Sequence, residues 1–174
     1  ALLALRARGM NIPDSAIVRG IGETFFPVRM EVVSRRPAVI LDGAHNESGA
    51  AALSGALEGL VPGRLVILIG MMKDKDVRHS ISKTLPLAER VYTVEPLDNP
   101  RAMPSDELAA LAREYCPDVR SWGKDLDGAF AEAYDSLSPE DTLLVCGSLY
   151  VASDLRRTAR RFFESRQIPH SPHL

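Results

Sequence analysis

The chain has 174 residues, enough for one domain with a real core and too few for two ordinary ones. Its 45% hydrophobic and 25% charged residues are those of an ordinary globular protein, and a net charge of −2 gives no electrostatic pull towards nucleic acid or an anionic membrane. No apolar run approaches the ~20 residues that cross a bilayer, and two cysteines, Cys116 and Cys146, make no disulfide framework, which points to a reducing cytoplasm.

In chain order, helical patterns cover 1–10 and 15–22, joined by Asn11-Ile12-Pro13-Asp14, with Asp14 or Ser15 as N-cap. The chain begins without Met inside the first of these patterns, which predicts a segment of a longer protein, with 1–22 the end of a preceding domain or a linker. A strand is expected over 29–34 and a turn at Arg35-Arg36-Pro37. The apolar run over 38–42 ends in an acid and reads as a buried parallel strand, with a helix over 48–60 behind it. Strands over 65–70, 90–94, 119–121 and 142–147 then alternate with helices over 76–87, 105–115, 126–137 and 149–166. The Pro- and His-rich 168–174 is expected to fray. This alternation predicts a Rossmann-like α/β domain over 23–167, a mostly parallel sheet with helices on both faces. Ligands of such sheets bind beyond the carboxyl ends of the strands, so the loops at 42–48, 70–76, 95–104 and 147–150 are the ones to inspect.

Several chemistries are missing. There is no G-x-x-x-x-G-K-[ST] phosphate cradle. Gly20-Ile21-Gly22 lacks the third glycine of a dinucleotide fingerprint and precedes a strand instead of following one. His170 and His173 have no Cys or acidic companion, so no metal site is expected, and Cys146 reads as a structural thiol. The chain alone is not a complete enzyme.

Asp42-Gly43-Ala44-His45-Asn46 carries more. Asp42 would be the last strand residue, its carboxylate aimed at the ligand crevice, and Gly43 would allow a tight turn. His45 and Asn46 would stand at a helix N-terminus, where N–H groups and the dipole favour an anion. Asn46 or Ser48 also suits a simple N-cap.

These five residues resemble the D-G-A-H-N-P signature of folylpolyglutamate and dihydrofolate synthases, members of the Mur ligase superfamily. Gly147-Ser148-Leu149-Tyr150 resembles their G-S-L-Y, Arg29-Met30-Glu31 their R-x-E, and Lys75-Asp76-Val77 their K-D-V, in order along the whole chain. Glu47 replaces the usual Pro, and Val28 the usual Gly before the arginine. The resemblance implies the C-terminal domain of an ATP-dependent ligase. There, ATP phosphorylates a folate or dihydropteroate carboxylate and the L-glutamate amine attacks the acyl phosphate. It puts the phosphate loop, the Mg ligands and the folate site in an N-terminal ATPase domain, over which this domain closes.

Carried over, Arg29 would reach the ATP phosphates and Asp42 the ribose hydroxyls, with His45 also at the nucleotide. His45 and Ser148 would be the catalytic pair, contacting glutamate or the reacting phosphate, with Tyr150 shaping the pocket. Lys75, and less so Lys73, would hold a glutamate carboxylate, although Lys73-Asp74-Lys75-Asp76 also reads as a solvated charge run. Asp98-Asn99-Pro100-Arg101 resembles an amino-acid-recognition motif of peptidoglycan-precursor ligases, with Arg101 on a substrate carboxylate, or is a turn alone. Arg156, Arg157, Arg160 and Arg161 suit a helix C-terminal half and are assigned no partner. The rival readings are a peptidoglycan-type ligase domain and a free-standing nucleotide-binding module.

Overall fold

The structure is a computed structural model describing residues 1–174. Two runs without a polar side chain facing solvent set its centre. Strands β3 (Leu65–Ile69) and β6 (Thr142–Cys146) are buried at every residue, as a strand covered on both faces must be. With β1 (Glu31–Arg35), β2 (Ala38–Leu41), β4 (Arg90–Thr93) and β5 (Val119–Ser121) they form one six-stranded sheet in the order β1-β2-β6-β3-β4-β5. All pairs are parallel except the edge pair β1–β2.

Alternate strand side chains feed two cores. Val39, Leu41, Leu68, Tyr92 and Val145 face helices α6 (Leu126–Asp135) and α7 (Leu149–Arg166). Ile40, Ile67, Val91, Leu144 and Cys146 face α3 (Glu47–Leu57), α4 (Val77–Thr84) and α5 (Ser105–Ala112). The sheet is therefore covered on both sides, as the alternation of patterns requires. Because β6 inserts between β2 and β3, the loops that follow these three strands become neighbours at the carboxyl edge.

Opposite that edge, Arg64 and Asp141 join the segments that enter β3 and β6. The Asp141 carboxylate accepts from the Arg64 backbone N–H at 2.8 Å, its Nη2 at 2.7 Å and the Ser138 N–H at 2.7 Å. The Arg64 guanidinium does most to hold the Asp141 carboxyl down at about 2.

Several boundaries differ from expectation for identifiable reasons. Strand β1 starts at Glu31 and not at residue 29, because Val28 and Met30 take left-handed backbone conformations (φ 54° and 46°) that no strand accepts. Helix α4 gives way at Leu85–Leu87 to a 3-10 turn containing Pro86, whose ring cannot continue an α-helix. Asp14 is the first helical residue of α2 (Asp14–Glu23), and Pro13, not Asp14 or Ser15, is at the cap position. Neither α2 nor α1 (Leu2–Ala7) buries a residue, so residues 1–22 add nothing to the core.

The tail does not fray. The Ser171 N–H donates to the Val33 carbonyl at 2.8 Å, His170 stacks on Phe163, His173 stacks on Phe25, and Leu174 is buried in the core. Apolar and aromatic side chains in a polar-looking stretch hold it against β1 and α7.

Candidate active site

The site is built at the junction of two turns. Past the end of β2, Gly43 lies so close to Leu149 that a β-carbon there would collide with the Leu149 side chain. The glycine leaves room for the end of the Leu149 side chain, which a β-carbon would push aside. Past the end of β6, Gly147 takes φ 102°, and a β-carbon would sit 2.6 Å from the Gly70 carbonyl oxygen. The Gly147 N–H donates to the Ala44 carbonyl at 3.0 Å. The next residues of each turn, Ser148 and His45, enter one cavity of about 140 Å³, with Met72, Lys75, Arg101, Leu149 and Tyr150 as its other walls. All five residues expected to meet an amino acid, His45, Lys75, Arg101, Ser148 and Tyr150, line this one cavity. A larger hollow of about 300 Å³ lies away from the strand ends, between β1 and residues 169–172.

Each wall residue is held differently. His45 Nδ1 lies 2.9 Å from the Gly43 carbonyl. A carbonyl only accepts, so Nδ1 carries a proton, and Nε2 has no partner within the chain. Ser148 is buried and caps α7, its hydroxyl oxygen accepting from the Val151 N–H at 3.0 Å while its own proton has no partner. It is thus a structural cap as well as a pocket wall. Asn46 caps α3 by accepting from the Gly49 N–H at 2.8 Å, and it does not line the cavity.

Arg101 donates to the Tyr150 hydroxyl and to Asp74, each at 3.2 Å, with its guanidinium 5.7 Å from the Tyr150 ring centroid. The Asn99 side chain accepts from the Arg101 N–H at 3.0 Å, so Asp98-Asn99-Pro100 is a turn that also presents the arginine. Lys75 is exposed, with no ion pair. Lys73 is exposed and lies outside the cavity, as a solvated member of the charge run does.

Arg29 and Asp42 stand apart from this pocket. Asp42 follows the last residue of β2 and is buried, with its carboxylate turned to the backbone and not to the crevice. Oδ2 accepts from the Met30 N–H at 2.9 Å and Oδ1 from the Ala44 N–H at 2.7 Å. Asp42 thus ties the Arg29 turn to the His45 turn. Arg29 itself is exposed and makes no side-chain hydrogen bond, at the apex between left-handed Val28 and Met30. The φ of 54° at Val28 explains why glycine suits that position, since a β-branched residue there is strained.

The Cys146 thiol is not poised to react. It is pushed up to about 12, by burial first and then by the neighbouring Asp42 carboxylate. No group of three or more His, Cys, Asp or Glu side chains is placed to hold a metal ion. No helix is long and apolar enough to cross a membrane.

A parallel α/β sheet with glycine-tight turns, two cations and an uncommitted imidazole nitrogen at its carboxyl edge is a ligand-handling domain of the doubly wound class. Within that class the chain belongs to the Mur ligase, glutamate ligase domain family, whose model matches residues 28–149. It is 34% identical over 157 residues to the dihydrofolate synthase/folylpolyglutamate synthase of Escherichia coli strain K12, covering 88% of this chain and 35% of that protein. The fold matches E. coli FolC in complex with DHPP and ADP with a TM-score of 0.81 at 30% identity, over 95% of this chain and 38% of that one. It also matches a bifunctional folylpolyglutamate synthase/dihydrofolate synthase with Mn, AMPPNP and L-glutamate bound, with a TM-score of 0.77 at 28% identity, over 91% and 38%. The chain thus spans little more than a third of the length of these relatives.

Sequence reasoning missed three features of the site. Asn99 presenting Arg101 and Asp74 holding it were in plain view as a turn former and an acid. The backbone role of Asp42 left no signal in the sequence.

Proposed function

We propose that this chain is the C-terminal domain of an ATP-dependent ligase that joins L-glutamate to a folate or dihydropteroate carboxylate through an acyl phosphate. Residues 23–174 would form the domain and 1–22 its connection to an N-terminal ATPase domain. The observation that carries the reading is the meeting of His45, Lys75, Arg101, Ser148 and Tyr150 around one small cavity.

Glutamate brings two carboxylates and one ammonium. The cavity offers two cations, Arg101 and Lys75, and one acceptor, His45 Nε2. The Arg101 fork suits one carboxylate and the Lys75 ammonium the other. His45 Nε2 takes the proton from the ammonium, leaving an amine able to attack the acyl carbon as phosphate departs. Ser148 donates its uncommitted hydroxyl proton to a phosphate or carboxylate oxygen. Arg29, outside the cavity and unpaired, is the group that meets the ATP phosphates when the domains close, where developing charge gives a guanidinium its value. The structures with ADP or AMPPNP bound support a nucleotide at this family's site, and magnesium would be held by residues outside this chain. The buried free thiols of Cys116 and Cys146 suit a reducing cytoplasm.

The test is glutamate-dependent release of phosphate from ATP by the full-length protein, offered dihydropteroate or a reduced folate. Activity with either supports the reading and tells which glutamate is added. Activity with neither sinks it, as does ATP-dependent amide formation by the 174-residue chain alone.

A further inference from the structure

Helix α7 carries one arginine whose surroundings differ from those of its neighbours. Arg157, Arg161 and Arg166 pair with exposed or same-helix acids, Asp154, Asp127 and Asp135. Arg156 instead lies across the domain from its acid. Its Nε is 3.0 Å from both carboxylate oxygens of Glu31, whose side chain is only 2% exposed. Its Nη1 donates to the Leu174 carbonyl at 3.2 Å and its Nη2 to that of His173. Glu31 Oε2 in turn accepts from the Val28 N–H at 2.8 Å.

These contacts form one line of force. The Val28 N–H is held by Glu31, and the Met30 N–H by Asp42. The Val28 carbonyl accepts from the Gly43 N–H at 2.8 Å. Three tethers therefore fix a turn whose two flanking residues are both left-handed, a conformation that persists only when its surroundings over-determine it. Arg29 is the single residue of the turn left to project into solvent.

We infer that Arg156 is a positioning residue for Arg29: by gripping Glu31 it fixes the Val28 amide and so the strained turn that aims the Arg29 guanidinium. The carbonyls of His173 and Leu174 complete the grip, which gives the docked C-terminal segment a part in the site. The Glu31 end of this ion pair bears directly on the turn that carries Arg29, through the Val28 N–H. The catalytic part of the inference rests on the function proposed above; the part concerning the turn does not.

Two measurements separate them. In the 174-residue chain, amide hydrogen exchange at Val28 should speed up about tenfold or more in Arg156→Met, the scale on which supporting residues act, while the β3 amides keep their protection. Arg156→Lys keeps the charge, but its single ammonium cannot hold Glu31 and the carbonyls of His173 and Leu174 together, so it should give a smaller increase. If Arg156→Met does not fold, Arg156→Lys alone decides. Unchanged Val28 exchange in a folded variant overturns the inference.

In the full-length protein, Arg156→Met should lower kcat about tenfold or more and leave the KM for glutamate unchanged. In an Arg29→Ala background the same change should cost less than about twofold, since residues acting through one another are not additive. Equal losses in both backgrounds make Arg156 a structural residue only and overturn the inference. A full-length wild type without ligase activity would refute the proposed function, and the exchange result would then judge the turn by itself.

Discussion

The Gly147 N–H donates to the Ala44 carbonyl at 3.0 Å, joining two turns that lie about a hundred residues apart in the chain. The bond sets the register of their next residues, so Ser148 and His45 face one cavity and neither can move far without the other. The adjacency of β2, β6 and β3 creates the junction, and Gly147 lets its backbone pass close to that of Gly70.

Because His45 and Ser148 serve one cavity, His45→Ala and Ser148→Ala should each impair glutamate use by the full-length protein, and the double variant should lose less than the product of the two. Ser148→Ala also removes a helix cap, at a cost of about 1 kcal/mol. Ser148→Asn keeps the cap and removes the hydroxyl. It should therefore hold its Tm while still raising the KM for glutamate. Normal kinetics in Ser148→Asn would leave Ser148 as a cap alone.

Arg101 is presented to the cavity by Asn99, Asp74 and Tyr150. Arg101→Lys keeps the charge and loses the fork, so it should raise the KM for glutamate about tenfold, with kcat and the KM for ATP little changed. An exposed arginine costs little stability, and thermal melting should confirm an intact fold. A KM for glutamate equal to that of the wild type would return residues 98–101 to the status of a turn.

Arg29 and Asp42 should behave differently from one another. Arg29→Ala, which breaks no contact, should cut kcat by about 10²–10³ with the Tm unchanged. The sequence suggests that Asp42→Ala would raise only the KM for ATP, through lost ribose contacts. With its carboxylate holding the Met30 and Ala44 amides, the variant should instead lower kcat and Tm together. Urea titration alongside steady-state kinetics separates the two outcomes.

At the opposite edge, Asp141 predicts an acid limb of stability. Its carboxyl sits at about 2 in the folded chain, chiefly through Arg64, against about 3.9 in an unfolded one. A depressed carboxyl stabilises the fold in full above about pH 4 and loses that contribution as pH falls towards 2. Asp141→Asn should therefore lower the Tm by about 5 °C or more at pH 7. The gap to the wild type should close between pH 4 and 2, and a gap independent of pH would contradict the assignment.

Local pattern carried most of the architecture. The apolar runs over 65–70 and 142–147 read as buried strands, the short strand over 119–121 was visible between its helices, and α7 was legible over its whole length with a basic far half. These features depend on neighbours a few residues apart, which periodicity and capping report directly. The turn at Asp42–Asn46 was readable as a strand-end site, and the turn at Gly147–Tyr150 through its resemblance to the family's G-S-L-Y signature.

Other features depended on the folded chain. Glu31 meets Arg156 across 125 positions, the tail docks on β1, and Asp42 turns its carboxylate to Met30 and Ala44. Each choice was open locally: an acid after a strand can face a ligand or a backbone amide, and a Pro-rich end can fray or dock. Burial decided between them. A carboxylate removed from water must find donors, and the nearest donors are set by which strands the sheet makes neighbours.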